Sequence, residues 1–181
     1  MGPDLSTEYL GLSLRSPIVA SASPLTGMVE SLLALQEAGV AAVVLPSLFE
    51  EEVEEEPLRL LDQMETGLGT FAEATGDTGF FPDLDITDVG PGVHLNLVAD
   101  AKAALDVPVI ASVNARSSGA WVRYARMLAD AGADAVELNL YDVVTDPDED
   151  SLDVEDRLAD AVRAVRAELA VPLAVKMSPY Y

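Results

Sequence analysis

The sequence predicts an α/β fold around a parallel sheet, either an open sheet or part of a (β/α)8 barrel, on three observations. The apolar period alternates along the chain between two and about 3.6 residues, the mark of repeated strand–helix units. Five strand-sized apolar runs are separated by four stretches long enough to be crossovers, which parallel pairing requires. Half of the 181 residues are hydrophobic and the mean hydropathy is +0.24, enough for a sizeable core and too apolar for a disordered polyanion.

Each element has a local reason. Leu5 to Leu14 is a short amphipathic stretch with Gly11 in its middle and reads as an N-terminal hairpin. Ile18 to Ser23 is a buried strand ended by Pro24. Glu30 to Ala38 is a helix with Leu32, Leu33 and Leu35 apolar and Gly39 as its stop. Val40 to Leu45 is the second strand, ended by Pro46. Residues 47–90 break the rhythm with a glutamate run, Glu50 to Glu56 around Val53, and then a Gly, Thr, Phe and Asp-rich segment from Gly67 to Gly90. An excursion of that kind between regular units reads as a lid or binding loop. Regularity returns with a helix over Pro91 to Leu105, a strand over Val107 to Val113 and a helix over Gly119 to Ala131 closed by Gly132. A strand over Ala135 to Tyr141, a helix over Leu152 to Leu169 and a strand over Pro172 to Met177 complete the chain.

Charge and composition exclude several classes of function. The formal net charge is −22, from 32 acids against 10 Lys and Arg, which repels phosphates and argues against nucleic-acid or anionic-membrane binding. Such a surface suits a salt-rich cytoplasm, where repulsion is screened, or serves solubility alone. No cysteine is present, so there is no disulfide framework, thiolate metal site or cysteine nucleophile. No apolar run is long enough to cross a membrane, and Met1 to Pro17 has no signal-like core. A cytoplasmic protein acting on a small molecule is the expectation.

In either fold the active site lies at the carboxyl ends of the strands. Lys176 is the strongest individual signal there, a cation inside the apolar run Leu173 to Met177. A lysine in that setting is costly without a partner and can hold negative charge on a reduced cofactor or a substrate oxygen; the structural alternative is a flexible stem reaching solvent. Asn139, between Leu138 and Leu140, and Asn114, ending a buried strand, carry both donors and an acceptor suited to a ring edge. Their alternative is a hydrogen-bonded core amide. His94, the only histidine, falls early in a helix and reads as a surface or capping residue. With one His and no Cys, a zinc site or a Ser-His-Asp triad has too few parts, and no metal is expected. The glutamate run reads as a solvated helical face, and the acids from Asp146 to Asp156 as a surface loop capping the following helix. Gly67 to Ala72 matches G-x-G-x-x-A but does not follow a strand, so it lacks its mechanical context.

Taken together, the segments Leu10-Gly11-Leu12 to Ser16-Pro17-Ile18, Ala20 to Thr26, Val107 to Asn114, Ala131 to Asn139 and Ala174 to Tyr181 resemble the dihydroorotate dehydrogenase family, nearest its dihydroorotate dehydrogenase-like branch. The resemblance implies an FMN-dependent (β/α)8 TIM barrel that oxidises dihydroorotate to orotate in pyrimidine synthesis. It implies that Ala20, Ser21, Ser47, Asn114, Asn139 and Lys176 lie at the flavin, with Lys176 by the ring. Three departures accompany it. The family's second strand commonly ends in Lys-Ser, where this chain has Pro46-Ser47; its Cys or Ser base is missing after Asn139, leaving Asp142 as the nearest acid; and its substrate-binding Asn-x-x-Gly-Leu-type run is not recognisable between Gly67 and Gly90. The flavin side is thus partly kept and the substrate side altered.

The resemblance also makes residues 1–181 a single partial barrel domain, an N-terminal hairpin plus about five of eight strands, with the phosphate-holding loops of strands six to eight beyond it. Open edges on the first and last strands then predict aggregation or a homodimer. The competing readings are another phosphate-ligand barrel, a lyase or synthase using Lys176 as a Schiff base, and a non-catalytic barrel fragment.

Overall fold

The computed structural model describes residues 3–51, 53, 91–115, 117–141 and 144–178. The chain opens on a hairpin of β1 (Thr7–Tyr9) and β2 (Leu12–Leu14), turned by Leu10 and Gly11 at φ of 55° and 74°. Then follow β3 (Val19–Ala20), a 3-10 turn over Pro24–Thr26, α1 (Val29–Glu37), β4 (Ala42–Phe49), α2 (Gly92–Ala104), β5 (Val109–Asn114), α3 (Ser118–Asp130), β6 (Ala135–Leu140), α4 (Ser151–Glu168) and β7 (Leu173–Met177). Strands β3 to β7 are all parallel and lie in the order of the sequence. That order has no switch point, so the open doubly wound alternative is excluded. The sheet curls as a half-barrel, consistent with a partial (β/α)8 TIM barrel.

The two faces of the sheet are chemically distinct. Val43, Leu45, Leu48, Val109, Ala111, Val113, Val136, Leu138 and Leu140 pack outward into the main core with the helices. Helix α4 meets them with Val154, Leu158, Ala161 and Val165, at the spacing of one helical stripe, and α3 with Trp121, Tyr124, Ala125 and Leu128. On the inner face Val44, Ile110 and Ala135 form a smaller layer against Leu10, Leu12, Val19 and Ala22, so the N-terminal hairpin closes the sheet at the strands' amino ends. Arg15 fastens it there, donating to the carbonyls of Val40 and Gln36 at 2.6 and 2.7 Å.

The strand entries are held by side chains. Gln36 Oε1 accepts from the N–H groups of Asp106 and Val107, tying the end of α1 to the entry of β5. Asp134 accepts the Val109 N–H at 2.7 Å and pairs with Lys102 at 2.8 Å. Pro108 and Pro172, the matching prolines before β5 and β7, each accept at 3.0 Å from the neighbouring strand, at Val43 N–H and Val136 N–H. Gly39 and Gly132 end α1 and α3 at φ of 106° and 109°, a conformation open to glycine and costly for other residues. Asp150 caps α4 by accepting from Leu152 and Asp153, so the acidic loop acts as expected.

Three expectations change. The first parallel strand has two residues rather than six. Strand β4 runs through Pro46 to Phe49, because a bulge between Val44 and Ser47 accommodates the missing N–H and lets pairing with β5 resume at Ser112. Glu50 is not on a solvated face: it is 9% exposed and accepts from the backbone and hydroxyl of Ser117 at 3.4 Å. The remainder of the run, apart from Glu51 and Val53, and the Gly67–Ala72 motif lie outside the described residues.

Candidate functional site

On the inner face, above the small apolar layer, polar side chains take over at the next alternate position of each strand. Ser47 of β4, Ser112 of β5, Glu137 of β6 and Lys176 of β7 form one hydrogen-bonded line across four strands. The Ser47 and Ser112 hydroxyls are 2.7 Å apart, Ser112 Oγ donates to Glu137 Oε1 at 3.3 Å, and Lys176 Nζ donates to the same oxygen at 2.9 Å. Pairing explains the line. Ser47 is in register with Ser112, and Ser112 with Glu137; Asn139 lies two residues beyond Glu137, opposite Lys176. Parallel neighbours in register point to the same side, so these five residues share a face.

Burial gives the line its character. The Glu137 side chain is 13% exposed and that of Lys176 39%, so the acid is the shielded member and the ammonium the accessible one. A carboxylate flanked by Val136 and Leu138 needs a cation and a donor to remain there, and it has both. Asn139 Oδ1 is buried with no hydrogen-bond partner among the described residues. A buried acceptor without a donor is uncommon in folded proteins and leaves a hydrogen-bonding position that an N–H or O–H from outside the chain could fill.

The sequence-predicted residues therefore divide. Ser47, Asn139 and Lys176 come together on the inner face. Asn114 ends β5 and lines a cavity of about 870 Å³ with Phe49, Trp121, Leu140 and Tyr141, between the strand ends and the starts of α3 and α4. Ala20 is half-buried against the helix-side core and Ser21 is exposed, and neither joins the hydrogen-bonded line. Asp142 lies outside the described residues. Glu137 and Ser112 were not singled out by the sequence reading, although the alternation in Val136-Glu137-Leu138-Asn139-Leu140 puts Glu137 on one face with Asn139. His94 stands in the first turn of α2, half-buried. Among the described residues no group of three or more His, Cys, Asp or Glu is arranged to hold a metal, and no helix is long and apolar enough to cross a membrane.

No family model matches the chain. Two curated relatives are the catalytic subunits of dihydroorotate dehydrogenase B (NAD(+)) from Thermoplasma acidophilum, 29% identical over 190 residues, and from Thermoplasma volcanium, 26% identical over 185. The chain is related to the dihydroorotate dehydrogenases. The matches take in 97% of the chain but 55% and 54% of the two subunits, so the chain spans about half their length. Among solved structures it is similar to dihydrodipicolinate synthases from Bacillus anthracis and Agrobacterium tumefaciens, with TM-scores of 0.52 and 0.53. These cover 87% and 90% of the chain and 44% of each synthase at 15% identity, a likeness of fold alone.

Proposed function

We propose that the chain is the amino-terminal half of an FMN-dependent oxidoreductase of dihydroorotate dehydrogenase type, acting on a CH–CH bond of a small molecule other than dihydroorotate. The observation that carries this reading is the pairing of an accessible Lys176 ammonium with the partnerless Asn139 Oδ1 at neighbouring register positions on the inner face. The pyrimidine edge of a flavin offers an N–H between two carbonyl oxygens, so one acceptor and one cationic donor side by side fit it. Bound FMN supplies the hydride acceptor for oxidation of a substrate carbon.

The chain's own residues have distinct tasks in that reading. Lys176 would hold negative charge that accumulates at the ring during reduction, and Asn139 and Ser47 would fix the ring's orientation by hydrogen bonds. Ala20, Ser21 and Asn114 are proposed at the flavin on the family resemblance. Oxidising a CH–CH bond also requires a base for the second hydrogen, leaving as a proton. Asp142, directly after β6 and Tyr141, is the candidate for that role. Pro46 in place of a lysine and Asp142 in place of a Cys or Ser both remove features suited to a carboxylate product such as orotate, which is why the substrate side is read as altered.

The test begins with colour. Purified intact protein titrated with FMN should quench flavin fluorescence and acquire a bound-flavin absorption spectrum. The lyase reading makes the opposite demand: Lys176 must release its proton and leave Glu137 to attack a carbonyl. Borohydride trapping of pyruvate on Lys176, with no flavin bound, would replace the oxidoreductase reading by that one.

A further inference from the structure

We propose that Glu137 is the positioning residue of this site, fixing which atoms of the inner face donate and which accept. Glu137 Oε1 receives two hydrogen bonds, from Lys176 Nζ at 2.9 Å and from Ser112 Oγ at 3.3 Å. An ionised carboxylate only accepts, so Ser112 spends its single hydroxyl hydrogen on Glu137. The 2.7 Å contact between Ser112 and Ser47 then has one direction: Ser47 donates and Ser112 accepts. Ser47 in turn has no hydrogen left and meets a ligand as an acceptor.

The same carboxylate holds Lys176. One ammonium hydrogen goes to Glu137, leaving two for the accessible side, and the direction of the side chain is set by an acid that is itself shielded. From one shielded carboxylate the site thus obtains a fixed donor at β7 and a fixed acceptor at β4, with the Asn139 acceptor beside the lysine. Ser112 is 1% exposed, so its hydroxyl cannot turn to water to escape this assignment. A planar heterocycle with both N–H and C=O groups on its rim is the ligand class that such a pattern selects. The identification of that ring as FMN rests on the function proposed above; the role of Glu137 does not.

The experiment therefore needs one readout without flavin and one with it. The chain has only two lysines, so a spectrum of 15Nζ-labelled protein contains two ammonium signals from it, with Lys102, paired to Asp134, as the internal control. Glu137→Gln keeps shape and removes charge, and a thermal melt confirms that it folds. The expected result is exchange broadening of the Lys176 signal while the Lys102 signal is retained. With FMN bound, Glu137→Gln should raise the flavin midpoint potential, because an anion beside the lysine is lost, whereas Lys176→Ala should lower it. Ser112→Ala, which frees the Ser47 hydroxyl, should weaken FMN binding roughly three- to tenfold, the range of one hydrogen bond. An unchanged Lys176 signal together with an unchanged potential in Glu137→Gln overturns the proposal. A responsive Lys176 signal in protein that binds no FMN upholds Glu137 and overturns the flavin reading instead.

Discussion

Removing the Asp134 carboxylate should destabilise the fold far more than neutralising it. Asp134 Oδ2 accepts both the Val109 N–H at 2.7 Å and the Lys102 ammonium at 2.8 Å, while its own N–H donates to the Val109 carbonyl at 2.9 Å. Val109 is fully buried at the first position of β5. In Asp134→Ala its N–H faces no acceptor and little water, a penalty of about 1–3 kcal/mol. The ion pair adds less, since its side chains are 33% and 27% exposed, and screening limits such pairs to about 1 kcal/mol. The sum, about 2–4 kcal/mol, corresponds to a fall in Tm of roughly 5–15 °C for a chain of this size. Asp134→Asn keeps an acceptor for Val109 and Lys102→Met leaves the carboxylate in place, so each should lose about 1 kcal/mol or less. Differential scanning calorimetry of the three variants in one buffer decides the matter. If Asn and Ala substitutions are equally damaging, the charge and not the backbone hydrogen bond holds β5, and the reasoning fails.

Three further outcomes are expected. Lys176→Ala should weaken FMN retention and make the flavin harder to reduce, measured as occupancy after gel filtration and as midpoint potential; unchanged values would make Lys176 a structural lysine. Steady-state assays of the complete protein with fumarate, quinone or NAD as acceptor should show little or no dihydroorotate turnover, and robust turnover abolished by Asp142→Asn would instead make Asp142 the base for that substrate. Asp150→Ala, removing the acceptor for the Leu152 and Asp153 N–H groups, should cost about 0.5–2 kcal/mol in chemical denaturation, with Asp150→Ser recovering most of it.

The strand–helix alternation was legible because it is written in short-range periods: Val154, Leu158, Ala161 and Val165 lie within one helix, and Gly39 and Gly132 punctuate at a φ that other residues resist. Lys176 was legible for a similar reason, being a cation in an apolar strand. Its partner was not, because Glu137 is 39 residues away and only strand register brings the two together. Lys102 shows the converse, a lysine whose role at a strand entry depends on Asp134, 32 residues on. Pro46 misled the reading of β4, since a proline ends most strands and the bulge that tolerates it leaves no local signature.

That bulge has a consequence for how the site came to be polar at all. Before it, odd-numbered residues of β4, Val43 and Leu45, enter the main core; after it, the even-numbered Leu48 does, and Ser47 turns to the opposite face. The strand thus changes parity in mid-course, and a single surplus residue decides which half of the alternation meets the helices. Deleting one residue between Val44 and Ser47 would remove the bulge and leave regular alternation, with the serine still opposite Ser112 and Leu48 still in the core; straightening the strand at its present length would instead turn the serine toward the helices and Leu48 toward the hydroxyl of Ser112. Chain length at this point, counted to the residue, is a chemical variable, because the bulge takes up one residue and so keeps the serine and Leu48 on the faces that register with β5 assigns them.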